Sequence, residues 1–362
     1  MTRIALITNN PAPYRVPVFN SIKKFDLLVI YLAKREINRN WSTNNLKHNH
    51  YYLKENFHSH PDGYNFIHNN PDIWKVLNKE KPHIVITTGY NPSHWYAFIW
   101  SAIKGKRHIC MTDGTIDSES HLSIIHKIIR RIFFIRTHAF IGASNKSIEL
   151  YLSYGIPRKK IFCSALCANN FYFSRHSHIK YNERSFDLIF SGQFHERKLP
   201  FLFIEICKRV NEARGRCRVI LIGDGPLREE MLEQLSLFKV DFVYPGFVQQ
   251  ELLPKYYSAA KVLLFTTRLD PWGVVANEAM AAGTPVITTP YAGVAGELVI
   301  DGVTGAVCEP DAEIWTAAAM RLLEDQNHWE LCSANAKKLV ASYTYEAAAA
   351  GIEAACEFAL GR

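Results

Sequence analysis

Nowhere in the 362 residues does an apolar run reach the roughly 18 residues of a membrane-spanning helix, so no span is expected. The eight cysteines, at positions 110, 163, 167, 207, 217, 308, 332 and 356, never form a CxxC pair. That spacing argues against the common zinc and redox patterns and supports no disulfide framework. The first ten residues, MTRIALITNN, hold one Arg and an apolar run too short for a secretory leader. A reducing cytoplasm is therefore the expected compartment. Low-complexity tracts and internal repeats are also missing. Acidic residues are the scarcer charge: 34 Asp and Glu against 42 Lys and Arg leave a formal charge of +8. An excess of that sign favours an anionic partner, whether nucleic acid, a phosphate-bearing substrate or an acidic lipid surface.

What is present is the composition of a folded protein, 48% hydrophobic and 21% charged, far from the signature of disorder. The length exceeds what one hydrophobic core usually serves, so two domains are expected. Apolar runs such as RIALIT, DLLVIYLA, HIVITTG, RHICMT and HAFIGAS alternate with helical segments through the first half. Continuous apolar strands separated by helices predict a parallel sheet covered on both faces. A polar, unpatterned stretch, SRHSHIKYNE, interrupts the pattern, which then restarts with FDLIFSG, CRVILIGDG, VDFVYPGF, KVLLFTT and PVITT. The predicted fold is α/β, with two Rossmann-like doubly wound domains facing across a cleft. The expected boundaries are 1–172 and 185–345, a linker at 173–184, and a C-terminal helix over 346–362 that packs back on the first domain.

In open parallel sheets ligands bind beyond the carboxyl ends of the strands, so the residues following each strand are the first candidates. In LDPWGVVANEAMAAG, Pro271 and Gly273 predict a tight turn that aims the free N–H groups of a following helix at a ligand. That is a seat for a diphosphate, with the main chain of Trp272, Gly273, Val274 and Val275 around it. Glu278 falls about one turn into the helix, placed for a vicinal diol such as a ribose, and Asp270 precedes the turn, placed for hydroxyls of a second polyol. Taken singly, Glu278 is equally a solvated helix acid and Asp270 a helix cap. In SGQFHERKLP, Gly192 lets the backbone approach a ligand, and Arg197 and Lys198 put two cations where a diphosphate is to sit. A plain surface basic pair is the alternative. LIGDGP is read as a tight strand-to-helix turn. Asp113, at a strand end, either orients a substrate hydroxyl or caps the next loop. His94 and His121 lie nearby, with structural roles the more ordinary assignment.

The segment HKIIRRIFFIRTH carries Lys127, Arg130, Arg131 and Arg136 among Ile and Phe. On a helix, Lys127, Arg130 and Arg131 share one face and Ile125, Ile128, Ile129 and Ile132 another. Two arrangements fit: a helix lying on an anionic membrane, or a core-packing helix with a solvated basic face.

LDPWGVVANEAMAAGTPVITTPYAGVAGELVIDGVTGAVCEP resembles the C-terminal signature of glycosyltransferase family 4, a retaining family with the GT-B fold. SGQFHERK, LIGDGPLREEM, YPGFV and SNKSIELYLSYGIPRKKIFCSALCANNFY resemble further parts of it, and NNPAPYRVPVFN resembles a subgroup found in bacterial polysaccharide clusters. The resemblance implies that Glu278 holds the nucleotide ribose, that Asp270 stands at the place of the family's first Glu beside the transferred sugar, and that Arg197 and Lys198 are the phosphate-binding cations. Gly192, Phe247 and residues 272–275 complete the implied donor site, with Asp113 among the catalytic candidates and Tyr14, Arg15, Tyr90 and His94 on the acceptor side. Two departures stand out: Asp replaces Glu at 270, and the first loop reads Pro-Ala-Pro where the family has glycines.

The expected activity is retaining transfer of a hexosyl unit from a nucleoside-diphosphate sugar to a glycan or lipid-linked acceptor in cell-surface polysaccharide synthesis. The co-substrate is the nucleotide sugar, with no metal and no other cofactor, since two cations and a helix terminus stand where a metal is otherwise needed. Domain closure is expected to exclude water. The expected location is the cytoplasm, with peripheral contact to the inner membrane. A sugar-nucleotide epimerase of the same architecture is the alternative, distinguished by turning over donor without acceptor. A nucleic-acid-binding role rests on net charge alone, without helix-turn-helix or aromatic-interleaved basic signals.

Overall fold

The chain folds as two α/β units, the first made of Met1–Leu166 with Tyr345–Arg362 and the second of Cys167–Thr344. The computed structural model describes residues 1–37, 45–59, 66–120 and 122–362; His121 lies outside them.

The first unit is built on a seven-stranded sheet, all parallel. From edge to edge it runs Asn49–Tyr52, Asp26–Tyr31, Arg3–Thr8, Ile84–Thr87, Arg107–Thr112, Ala139–Gly142, Ile161–Cys163. The central strands are buried on both faces, which is why they read as unbroken Ile, Val and Leu. Asn49–Tyr52, by contrast, is an edge strand with exposed side chains and no apolar run. Trp100 from the helix Pro92–Ile103 fills one side of the sheet, with Ile7, Ile30 and Leu77. Phe133 and Phe134 join Phe98, Phe140 and Tyr151 in a second cluster. The helix Tyr345–Leu360 belongs to this unit, where Glu353 Oε1 accepts from the main-chain N–H groups of Lys23 and Lys24 at 2.7 and 2.8 Å.

The second unit repeats the scheme with six parallel strands in the order Asp241–Gly246, Arg218–Ile222, Phe186–Ser191, Ala260–Phe265, Val286–Thr288, Gly305–Val307. Residues 173–184 lie within it as short 3₁₀ turns, with the Tyr181 hydroxyl donating to the Leu323 carbonyl. Arg184 is buried, makes no ion pair among the described residues, and donates to the carbonyls of Ala260, Ala282 and Gly283 and to Thr284 Oγ1. Burial lowers its pKa to about 9. This one guanidinium thereby ties the start of one strand to the end of a helix.

In both sheets the order reverses beside the unit's first strand, the doubly wound topology whose crevice at the reversal is the usual ligand position. In the second unit that crevice lies between the carboxyl ends of Phe186–Ser191 and Ala260–Phe265. The loops leaving these two strands are residues 192–198 and 266–273.

Candidate functional site

Those two loops are tied to each other. The Arg268 N–H donates to the Arg197 carbonyl at 2.7 Å, and the Thr267 and Thr266 hydroxyls donate to the carbonyls of Arg197 and Lys198 at 3.2 and 2.6 Å. Leu199, immediately after the two cations, holds a left-handed conformation with φ 47°, a costly one for a residue with a Cβ. The strain sits beside Lys198, where it fixes the approach of the chain into the helix Pro200–Arg214.

From this staple the Lys198 ammonium reaches Asp270 Oδ2 at 2.6 Å, with both side chains largely buried. Asp270 Oδ1 accepts from the Trp272 N–H at 3.1 Å. Burial on its own raises the Asp270 pKa, but Lys198 and Arg197 outweigh it and hold the carboxylate below its ordinary range. The carboxylate is therefore charged. It keeps lone pairs for further donors beyond the two it already meets. The Arg197 guanidinium makes no ion pair among the described residues; its polar contact is a 3.5 Å approach to the Leu269 carbonyl. Sequence reasoning assigned Lys198 to phosphate and Asp270 to sugar as separate tasks, whereas the structure joins them into one unit.

Beyond Asp270 the chain turns at Gly273, with φ 106°, where a Cβ would collide with the Phe265 ring. Only glycine fits, and the helix Val274–Ala281 starts there with no side chain capping its first N–H groups. Trp272 is buried, its indole N–H donating to Asn277 Oδ1 at 2.8 Å, so it contributes main chain to the site. Glu278 lies on the buried side of the same helix, where Oε2 accepts from the Tyr257 hydroxyl at 2.8 Å. That hydroxyl also lies 2.9 Å from Ser191 Oγ, linking Glu278 to the end of the first strand. Glu278 is thus no solvated helix acid. Burial raises its pKa to about 7, against the opposing pull of Tyr257.

A carboxyl group whose folded pKa lies above its unfolded value adds stability while protonated, and that stability is lost as pH rises from about 4.5 towards about 7. Unfolding free energy of the wild type should fall across that window by a component on the order of 3 kcal/mol. Glu278→Gln, neutral at every pH, should lack it; identical pH profiles in denaturant titrations of the two proteins would refute the assignment.

The GDG turn does more than reverse the chain. Gly223 has φ 131°, and a Cβ there would fall on the Gly192 carbonyl oxygen. The loop of Gly192 rests against this turn, and the Phe194 N–H donates to the Asp224 carbonyl at 2.9 Å. Tyr257 and Ser191 are site-supporting groups that the sequence reading did not single out, because their contacts join segments far apart in the chain; the GDG turn was read as a turn, without its contact to the Gly192 loop. Phe247 is exposed in the loop after Asp241–Gly246, the strand next but one to the crevice.

In the first unit, Tyr14, Arg15 and Tyr90 sit on the two loops that leave the strands at its own order reversal, Arg3–Thr8 and Ile84–Thr87, and His94 lies in the first turn of the helix Pro92–Ile103 that follows the second loop. Arg15 donates to the Ser164 carbonyl at 3.1 Å. Tyr90 stacks under the Arg130 guanidinium at 4.3 Å, and its hydroxyl accepts from Cys110 Sγ. His94 has no exposed surface: Nδ1 pairs with Asn91 Oδ1 at 2.8 Å, and burial lowers its pKa to about 3. Contact with an acceptor is not available to that ring in this structure, and its role here is to brace the loop. Asp113 is exposed at the end of Arg107–Thr112. Thr115, not Asp113, caps the next helix, Ile116–Glu119.

Residues 174–339, nearly the whole second unit, match the sequence model of the family described as glycosyl transferases group 1. The chain is 31% identical over 157 residues to an uncharacterized glycosyltransferase of Methanocaldococcus jannaschii, covering 42% of this chain and 39% of that protein. It is 25% identical to an uncharacterized 41.2 kDa protein in the cps region of Klebsiella pneumoniae, covering 68% and 63%. The chain thus spans less than two thirds of these relatives' length. Among solved structures, Anabaena Alr3699/HepE in complex with UDP superposes with a TM-score of 0.74 at 16% identity, covering 100% of this chain and 99% of that one. The same Anabaena protein is known in complex with UDP-glucose. The fold is GT-B, with two Rossmann-like units, and the second unit carries a glycosyl transferases group 1 domain.

Proposed function

We propose that the protein is a retaining glycosyltransferase of family 4 that moves a hexosyl unit from a nucleoside-diphosphate sugar to a hydroxyl of a glycan or lipid-linked acceptor. The observation that carries this reading is the set gathered at the second unit's crevice: Lys198 paired to Asp270, Arg197 close enough to act on the same carboxylate but in no ion pair among the described residues, and a helix start without a side-chain cap leading to Glu278. The complexes of Anabaena HepE with UDP and UDP-glucose support a uridine nucleotide as the first donor to test. The cps-region relative supports a role in surface polysaccharide synthesis.

In this reading the diphosphate rests on the first N–H groups of Val274–Ala281, with Arg197 and Lys198 beside it. Negative charge grows on the leaving phosphate as the glycosidic bond breaks, so fixed cations there stabilise the transition state more than the ground state. Glu278 Oε1 and Oε2 accept from the ribose hydroxyls, and Tyr257 fixes the carboxylate's position. Asp270, already holding Lys198 and the Trp272 N–H, offers its remaining lone pairs to hydroxyls of the transferred sugar. The acceptor oxygen attacks from the face the phosphate leaves, passing its proton to a departing phosphate oxygen. The new bond forms on the same side, no carboxylate serves as nucleophile, and Asp113 orients a substrate hydroxyl.

With UDP-sugar and an acceptor glycan, product formed at early times should keep the donor's anomeric configuration by proton NMR. The rate should survive excess EDTA, since the side chains supply the charge. An inverted product, or interconversion of the donor sugar without acceptor, overturns the proposal.

A further inference from the structure

The helix Ile124–Ile135 packs on the core with its aromatic face and leaves its isoleucines outside. Arg130, Phe133 and Phe134 are its buried residues. Arg130 pairs with Glu119 at 2.9 Å and stacks on Tyr90, while both phenylalanines enter the aromatic cluster. Ile124, Ile125, Ile128, Ile132 and Ile135 are between 46% and 80% exposed. At 3.6 residues per turn these five side chains fall within an arc of about 100°. Lys127 and Arg131 are exposed on one flank of the stripe and Arg136 on the other. This corrects the sequence-based grouping, in which Arg130 belonged to the basic face and the isoleucines had the core as an alternative destination.

A second feature adjoins the stripe. Ile135, at its end, also lines a cavity of ≈ 650 Å³ whose other walls include Arg107, Arg136, His138, Lys160 and Phe358. Arg107, Arg136 and Lys160 form no ion pair among the described residues, and Phe358 is itself partly exposed. An apolar ridge thus continues into a basic hollow.

We propose that this face of the first unit is a docking surface for an anionic phospholipid bilayer, with the isoleucine stripe entering the acyl boundary and the flanking cations and basic cavity meeting lipid phosphates. Contiguous exposed isoleucine is unusual on a protein that stays in water, and a charged rim around an apolar stripe suits the interface between headgroups and acyl chains. Charge decides between a bilayer and a second copy of the chain. From residue 120 to residue 148 there is no Asp or Glu. An isologous pairing of this helix would bring Lys127 and Arg131 against their own copies with no acid to answer them. An anionic lipid surface answers all of them at about a fivefold gain in partition per cation.

The test is co-sedimentation of the full-length protein with vesicles of phosphatidylcholine alone or with about 30% phosphatidylglycerol, at low and high salt. The protein should partition to the anionic vesicles at low salt and be largely released at high salt. Ile128→Gln with Ile132→Gln should lower that partition at least tenfold, and Lys127→Gln, Arg131→Gln and Arg136→Gln together about a hundredfold. All these side chains are exposed, so melting temperature and UDP-induced thermal shift should stay at wild-type values. The second readout separates this proposal from the donor-site reading, which it does not require. Wild-type protein left in the supernatant of anionic vesicles at low salt overturns the proposal, as does partition indifferent to the isoleucine changes. A dimer on size exclusion that the isoleucine changes dissociate, without vesicle binding, assigns the face to a second copy instead.

Discussion

Lys198→Ala should lower kcat by about 10² or more, the usual cost of removing one group aimed at a developing negative charge. It should also lower the melting temperature, and the second effect has to be separated from the first. Lys198 and Asp270 are both largely buried, at 2.6 Å. Truncating the lysine leaves a carboxylate compensated, among the described residues, by the Trp272 N–H and the field of Arg197. Orphaning one member of a buried pair costs about 3–5 kcal/mol. Adding Asp270→Asn removes the orphaned charge, so Lys198→Ala with Asp270→Asn should regain stability without regaining kcat. The check is calorimetric melting of the single and double variants beside steady-state rates with saturating donor. Near-wild-type kcat in the single variant removes Lys198 from leaving-group stabilisation.

The same pair shows what can and cannot be read from a sequence. The order of strands and helices was legible because a sheet buried on both faces demands unbroken apolar runs, and Ile4 to Ile7 or Val262 to Phe265 supply them. The loops at the second unit's order reversal were legible for a related reason: Gly192, Gly273 and the charged residues near them have local causes that a short window displays. Asn49–Tyr52 was not, since an exposed edge strand needs no apolar run. Nor was the Lys198–Asp270 pair, whose members stand 72 positions apart, or the chain from Ser191 through Tyr257 to Glu278, which three separate segments contribute. The helix Ile124–Ile135 shows the limit from the other side. Periodicity revealed that it has two faces, but which face turned inward depended on Glu119 and Tyr90 being there to receive Arg130.

Glu278→Ala should cut kcat/KM for the donor by about two orders of magnitude or more while leaving the fold intact. Stability should survive because the side chain makes no ion pair among the described residues: its pKa near 7 leaves it about half protonated at neutral pH, and its partner there, the Tyr257 hydroxyl, keeps Ser191 Oγ at 2.9 Å. Alanine is also the best helix former at a position inside Val274–Ala281. Melting temperature should therefore move by only a few degrees, some of it from the small cavity left behind. Activity has no such compensation. If Glu278, ionised when the donor is bound, accepts two hydrogen bonds from a ribose diol, each charge-assisted and worth about 1.5–3 kcal/mol, their loss lowers kcat/KM for the donor by about 10²–10⁴. Glu278→Gln keeps the volume and one acceptor oxygen, so it should fall between alanine and wild type. A structural role alone predicts the reverse ranking of readouts, with melting temperature falling and kcat/KM following only as far as folded protein is lost. Kinetics normalised to folded fraction decide it, and near-normal transfer by Glu278→Ala moves the donor site away from this helix.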